Sequence, residues 1–397
     1  MKKYFELIHR TVSVFRKTAR EMLREKWMLG LTLAFAPFFV FLYWLWFQGG
    51  STIYKVVVIN WDQGVQLSDG SRFNAGEQVI ESINAVSYSD GSPLLKVIPA
   101  ADHGEAETIL KDREATAFLL IPKDFSQTIQ ALQNGDRSVT TQITFGGDLS
   151  NTYYMVGANL ALSAAESYIQ QATGQKPLVN YVEEPLGASA ARTEFETYVP
   201  GTLIFAVILL IFLASMTVAR EIESGTLQRL QLTPLTSFEL LGGVTAALLL
   251  IGALAILLAF LVARLCGFHS QGPLWVAILV GVVTSLSVIG IGMVVASFAR
   301  TVSQAFIVAN FPMALMMFFS GSIFPLPRVT LFSIAGRQIG LYDFLPPTHA
   351  VVALNKVLTL GAGLHEVVYE LGALTILSIL YFGVGVWLFQ RYHLRSG

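Results

Sequence analysis

Residues 28–47, MLGLTLAFAPFFVFLYWLWF, run for the depth of a bilayer without one charged side chain. A helix needs about 20 apolar residues to cross hydrocarbon, and core helices of soluble proteins are rarely so long and so uniformly apolar. Residues 198–218 repeat the pattern, and further apolar runs lie near 242–263, 274–298, 305–324 and 371–389, each bounded by charged or Gly/Pro-rich sequence. The predicted fold class is an α-helical integral membrane protein with six transmembrane helices, plus an α/β extracytoplasmic domain between the first two. Composition agrees: 13% of residues are charged, against roughly a quarter in soluble domains. A net charge of −1 offers nothing to nucleic acid. The single cysteine, Cys266, excludes an intrachain disulfide and a cysteine-built zinc site.

Lys and Arg near span ends set orientation. The N-terminal tail holds Lys2, Lys3, Arg10, Arg16, Lys17, Arg20, Arg24 and Lys26. Arg220 and Arg229 follow span two, Arg300 follows span four, and Arg391 and Arg395 follow span six. With six spans these fall on one side, while Arg264, Arg328, Arg337 and Lys356 fall on the other. Both termini are therefore placed in the cytoplasm, with the chain multi-pass in a bacterial inner membrane. The long basic leader, with no small-residue cleavage pattern after it, reads as a retained anchor rather than a signal peptide.

The tail, residues 1–27, reads as an amphipathic helix: Tyr4, Ile8, Val12, Phe15, Ala19 and Met22–Leu23 recur at helical spacing between the cations. Such a helix lies on an anionic leaflet.

Residues 48–197 form the outer domain. Over 51–197, 18 acids stand against 9 Lys+Arg, which keeps the domain soluble. Ile53–Asn60, Thr116–Ile121 and Ser138–Phe145 read as strands. Ala101–Asp112, Lys123–Asn134 and Asn151–Thr173 read as helices, and 62–71 and 87–93 as loops.

Searches for catalytic chemistry return little. No G-x-x-x-x-G-K-[ST] phosphate cradle, H-E-x-x-H or G-x-S-x-G occurs, and the histidines are scattered. Carboxylates are nearly absent from the spans, whereas an ion-coupled carrier usually needs an ionisable group at membrane depth. Energy from a partner is the better expectation. A sensor would need a cytoplasmic signalling domain, and no cytoplasmic stretch is long enough. A membrane-embedded hydrolase would need clustered histidines or carboxylates in the spans. A non-transporting scaffold remains open.

The most informative segment follows span two: Ala219-Arg220-Glu221-Ile222-Glu223-Ser224-Gly225-Thr226-Leu227-Gln228-Arg229-Leu230-Gln231-Leu232-Thr233-Pro234. Leu227 and Leu230 fall one turn apart, and Pro234 ends the turn. From these residues alone, a plug for a groove on another protein and a simple chain reversal are both open. The segment closely resembles the R-E-x-E-x-G-T-x-x-x-L-x-x-x-P pattern of ABC-2 type transporter permeases. Ile121-Pro122-Lys123-Asp124-Phe125, Gly147–Thr152, Ser320–Pro327 and Leu345–Ala350 are similar to further family motifs, in the same order. The domain after span one resembles the larger variant of the family.

The resemblance implies a half-transporter. Its partners would be a cytoplasmic ABC ATPase subunit, a second permease subunit (identical or a similar paralogue) and membrane lipid. No cofactor would be bound by this chain; ATP-Mg would sit on the ATPase. The family's coupling loop maps to 219–240, with Arg220, Glu221, Glu223, Gly225, Thr226, Leu227, Leu230 and Pro234 making or shaping the contact. Residues 198–397 would form a five-helix membrane domain, with an outer re-entrant segment over 325–364. Among polar groups in the spans, Asn310 with Pro312, Thr202 and Ser285 are candidates for a cargo path. Scarce charge there suits an amphipathic or apolar cargo.

Overall fold

The computed structural model describes residues 2–47, 52–67, 70–88, 91–149, 151, 153–174, 193–227, 235–323, 329–334 and 337–394. The chain divides into two compact units, residues 49–184 and the remainder.

Helix α1 spans Lys2–Arg24 and α2 spans Lys26–Phe47. The apolar side of α1 is split between two environments. Val14, Thr18 and Met22 are buried in the helical unit, while Ile8, Val12 and Leu23 stay exposed. The exposed half of the stripe is what an interfacial helix offers to lipid.

The α/β unit is built on β1 (Tyr54–Asn60). The two-residue strands β2 (Val65–Gln66) and β3 (Arg72–Phe73) follow, then α3 (Ala75–Asn84), β4 (Leu95–Ala100), α4 (His103–Lys111), β5 (Ala117–Ile121), α5 (Phe125–Gln133), β6 (Thr144–Gly146) and α6 (Tyr154–Thr173). The main sheet has the order β4-β1-β5-β6. β1 is parallel to both neighbours and β6 is antiparallel to β5. Central β1 is covered twice. Val56 and Val58 pack with residues of α3, α5 and α6, and Val57 and Ile59 pack with Ala106 of α4. A strand buried on both faces reads as one continuous apolar run, which is why it was visible in the sequence.

Besides the two-residue strands β2 and β3, the helix α3 and the strand β4 lie outside the expected elements. α3 is capped by Asn74, whose side chain accepts from Glu77 N. β4 contains Pro99, which suits an edge strand that needs no donor there. The strand expected over Ser138–Phe145 shrinks to Thr144–Gly146, because only Phe118, Leu119 and Leu120 of β5 pair with it.

The second unit continues with α7 (Glu194–Ile208), α8 (Leu210–Glu223), α9 (Ser237–Leu265), α10 (Leu274–Phe298) and α11 (Val302–Phe319). A hairpin of β7 (Thr330–Ile334) and β8 (Arg337–Gly340), then α12 (Pro346–Leu354) and α13 (Val368–Phe389) complete it. Among the described residues, six helical segments are long and apolar enough to cross a membrane, with Glu194–Glu223 counted as one and Leu364–His393 as another. The second span therefore starts earlier and ends later than residues 198–218. Only Leu209 separates α7 from α8.

The α10–α13 seam is held by small residues. Ser287 Oγ and Ser378 Oγ lie 2.6 Å apart, and Ser378 Oγ donates to Val283 O at 3.0 Å. Close approach with polar bridging is how helices associate where lipid is as apolar as side chains.

The segment expected to be re-entrant, 325–364, holds the β7–β8 hairpin, which the sequence did not show, and α12, begun by Pro346-Pro347 and largely buried.

Candidate functional site

The segment after span two is not a free loop at its start. Arg220, Glu221 and Glu223 belong to the last turn of α8. Ser224 caps the helix and Gly225 follows at φ +66°, the left-handed conformation that ends many helices. α9 then opens with a capping box, in which Glu239 N donates to Thr236 Oγ1 and Thr236 N donates to Glu239 Oε2 at 2.6 Å.

Four ties fasten this corner to the chain itself. Lys17 Nζ of α1 meets Glu221 Oε1 at 2.6 Å. Arg220 pairs with Glu25, at the α1–α2 junction. Arg10 Nη1 lies 3.8 Å from Glu239 Oε1. Glu223 Oε2 accepts from Val302 N at 2.8 Å, at the start of α11. Leu227, expected to supply apolar contact to a partner, is packed within this chain, buried in the helical core. Thr226 shares a 2.8 Å hydrogen bond with Ser224. Leu230 and Pro234 lie outside the described residues. The sequence reading named Lys17 and Arg10 only as orienting charges and passed over Glu25. Opposite charges at the end of one helix and on its neighbour were the signal available.

The cargo-path candidates are not brought together. Thr202 Oγ1 donates to Tyr198 O at 2.8 Å in α7, and Ser285 Oγ to Gly281 O at 2.8 Å in α10. Asn310 Nδ2 donates to Phe306 O at 2.8 Å in α11, which also contains Pro312. Each side chain satisfies itself on its own helix, which is the commonest use of such residues in apolar surroundings.

The α/β unit offers one place where ligands bind in other open sheets. The crossover from β1 to β4 runs through α3 on one face and that from β4 to β5 runs through α4 on the other, with β1 between the two strands reached, so the carboxyl end of β1 is a switch point. Here Asp62 fills it. Its Oδ2 accepts from Gly76 N at 3.0 Å, at the start of α3, and from Ser126 Oγ. Its Oδ1 accepts from Ser126 N at 3.1 Å, at the start of α5. The carboxylate takes the position an anion would occupy at two helix N-termini. Asp62→Ala should therefore destabilise this unit by about 2–4 kcal/mol, two charged caps being lost. Limited proteolysis of the full chain against temperature would measure it; an unchanged midpoint would contradict the assignment.

A match to the ABC-2 family transporter protein family runs over residues 26–387, from the first residue of α2 almost to the end of α13. The chain belongs to the ABC-2 transporter family. This ABC-2 member is similar to two proteins of Escherichia coli K12, both described as probable multidrug ABC transporter permeases. To YbhR it is 24% identical over 246 residues, covering 61% of this chain and 66% of YbhR. To YbhS it is 25% identical over 329 residues, 78% of each. The chain thus spans just under two thirds of YbhR's length. The α8–α9 corner of this ABC-2 chain and all six apolar helices fall largely inside the matched region.

Proposed function

We propose that this chain is the membrane-spanning permease subunit of an ATP-driven exporter. A separate cytoplasmic ABC ATPase hydrolyses ATP-Mg, and a second permease subunit completes the path. Both termini and the α8–α9 corner face the cytoplasm, and residues 49–184 lie outside. The clustering of Lys and Arg at one set of helix ends supports that orientation. The cargo is amphipathic or apolar, in keeping with the multidrug description of both relatives.

The observation that carries the coupling reading is the fastening of the corner. The end of α8 is tied to α1 through Lys17–Glu221, to the α1–α2 junction through Arg220–Glu25 and to α11 through Glu223. A partner pressing on the residues between α8 and α9 would move these helices as a set rather than bend a loose loop.

The test is capture of an ATPase subunit on the tagged chain from its native membrane. Leu230→Asp should reduce recovery about tenfold or more, the effect of losing one apolar anchor at a docking surface. Leu227→Asp is unsuitable, since it would disturb the bundle itself. Wild-type capture of no ATPase, or undiminished capture by Leu230→Asp, would count against this account.

A further inference from the structure

At the end of the helical unit opposite the α8–α9 corner, a cavity of 330 Å³ opens between the end of α11, the turn at Tyr342–Asp343, α12 and the first turn of α13. Glu370 forms part of its wall and is 4% exposed. Its Oε1 meets Lys356 Nζ at 2.8 Å. Its Oε2 is buried and, among the described residues, has no hydrogen-bond partner. A buried carboxylate oxygen left without a donor is costly, and native structures rarely keep one without use.

Glu370 stands in the first turn of α13, where exposed helix N–H groups stabilise negative charge. Asp343 is a second carboxylate in the wall, its Oδ2 accepting from Gly340 N at 2.8 Å. Lys356 answers Glu370 through Oε1. Three aromatic rings form part of the wall. Phe319 and Tyr342 stack at 5.6 Å, and Tyr369 lies beside Glu370. Ring faces attract cations, and the volume suits a small organic molecule.

We propose that this cavity binds the ammonium head of an amphipathic organic amine, with the Glu370 carboxylate as the acceptor and the Phe319, Tyr342 and Tyr369 rings around the apolar part. Its role as a station on an outward path rests on the export reading above; the binding does not.

The probe is dansylcadaverine, a primary ammonium on an apolar fluorophore, compared with dansylamide, which lacks the cation. The full chain is held in phosphatidylcholine nanodiscs, and the signal of empty nanodiscs is subtracted. Wild type should bind dansylcadaverine saturably and about tenfold more tightly than dansylamide, the effect of one charge-assisted hydrogen bond. Glu370→Gln should lose about that factor. Val352→Trp fills the cavity from an exposed wall position and keeps both charged residues of the Lys356–Glu370 pair, and should lose it too. If Glu370→Gln does not fold, Val352→Trp decides. No saturable binding, equal affinity for both probes, or wild-type binding in the folded variants would overturn the proposal. No ATPase or nucleotide is present, so failure here leaves the export reading standing, and failure of ATPase capture leaves this binding measurable.

Discussion

Gly290→Ala is expected to destabilise the helical unit by about 3 kcal/mol, at the upper end of overpacking costs. A Cβ at this position would stand 2.6 Å from Phe382 N and 2.9 Å from Tyr381 C. Those atoms are backbone and cannot rotate away, so α10 and α13 would have to separate along the seam. Separation would also stretch the Ser287–Ser378 hydrogen bond. Alanine is otherwise the better helix former by about 1 kcal/mol, so any loss is loss against a favourable background. Gly383→Ala, on α13 with no atom within 4 Å of its added Cβ, is the matched control and should be neutral or slightly stabilising. Thermal unfolding of the full chain in detergent, read by size-exclusion recovery, compares them. At about 2–4 °C per kcal/mol for a unit of this size, Gly290→Ala should fall by roughly 6–12 °C. Equal behaviour of the two variants would show that the seam is not close-packed.

The second large effect is expected at Lys17. Glu221 is 8% exposed and Lys17 answers one of its oxygens, while the other has no partner among the described residues. Lys17→Met would strand the carboxylate among apolar helices. Breaking fully buried pairs costs about 3–5 kcal/mol. The Lys17 side chain is 37% exposed, so solvent already screens part of the interaction and about 2 kcal/mol is the expected loss. Lys17→Met combined with Glu221→Leu should recover most of it, because an apolar pair carries no desolvation cost. A double-mutant cycle on thermal midpoints reads this directly. If the single change is silent, or the double is worse than the single, the pair does not fasten α1 to α8.

Much of the architecture was legible because bilayer thickness imposes a length. Residues 274–298 are one uncharged run and form α10 over the same residues. Central β1 was legible because burial on both faces leaves an unbroken β-branched run. The helix carrying the second span runs beyond the uncharged residues 198–218 for a physical reason: Arg220 and Glu221 find partners in Glu25 and Lys17, and α8 continues to Glu223. Neutralisation by a neighbour is invisible along one strand of sequence. The β7–β8 hairpin and β4 were missed because short strands with proline or glycine at their borders carry little periodicity.

Of the sites, the corner after α8 could be found from its residue pattern, but the burial of Leu227 could not. Nor could the cavity at Glu370, whose walls come from α11, α12, α13 and the turn between β8 and α12. Composition and periodicity determined which helices are apolar enough to cross lipid, and a motif pattern carried the resemblance to a family, since those properties are local along the chain. Which charges are paired, which serine seats a neighbouring helix and which carboxylate oxygen goes unanswered were decided only on folding, because each depends on groups far apart in sequence meeting where water is excluded.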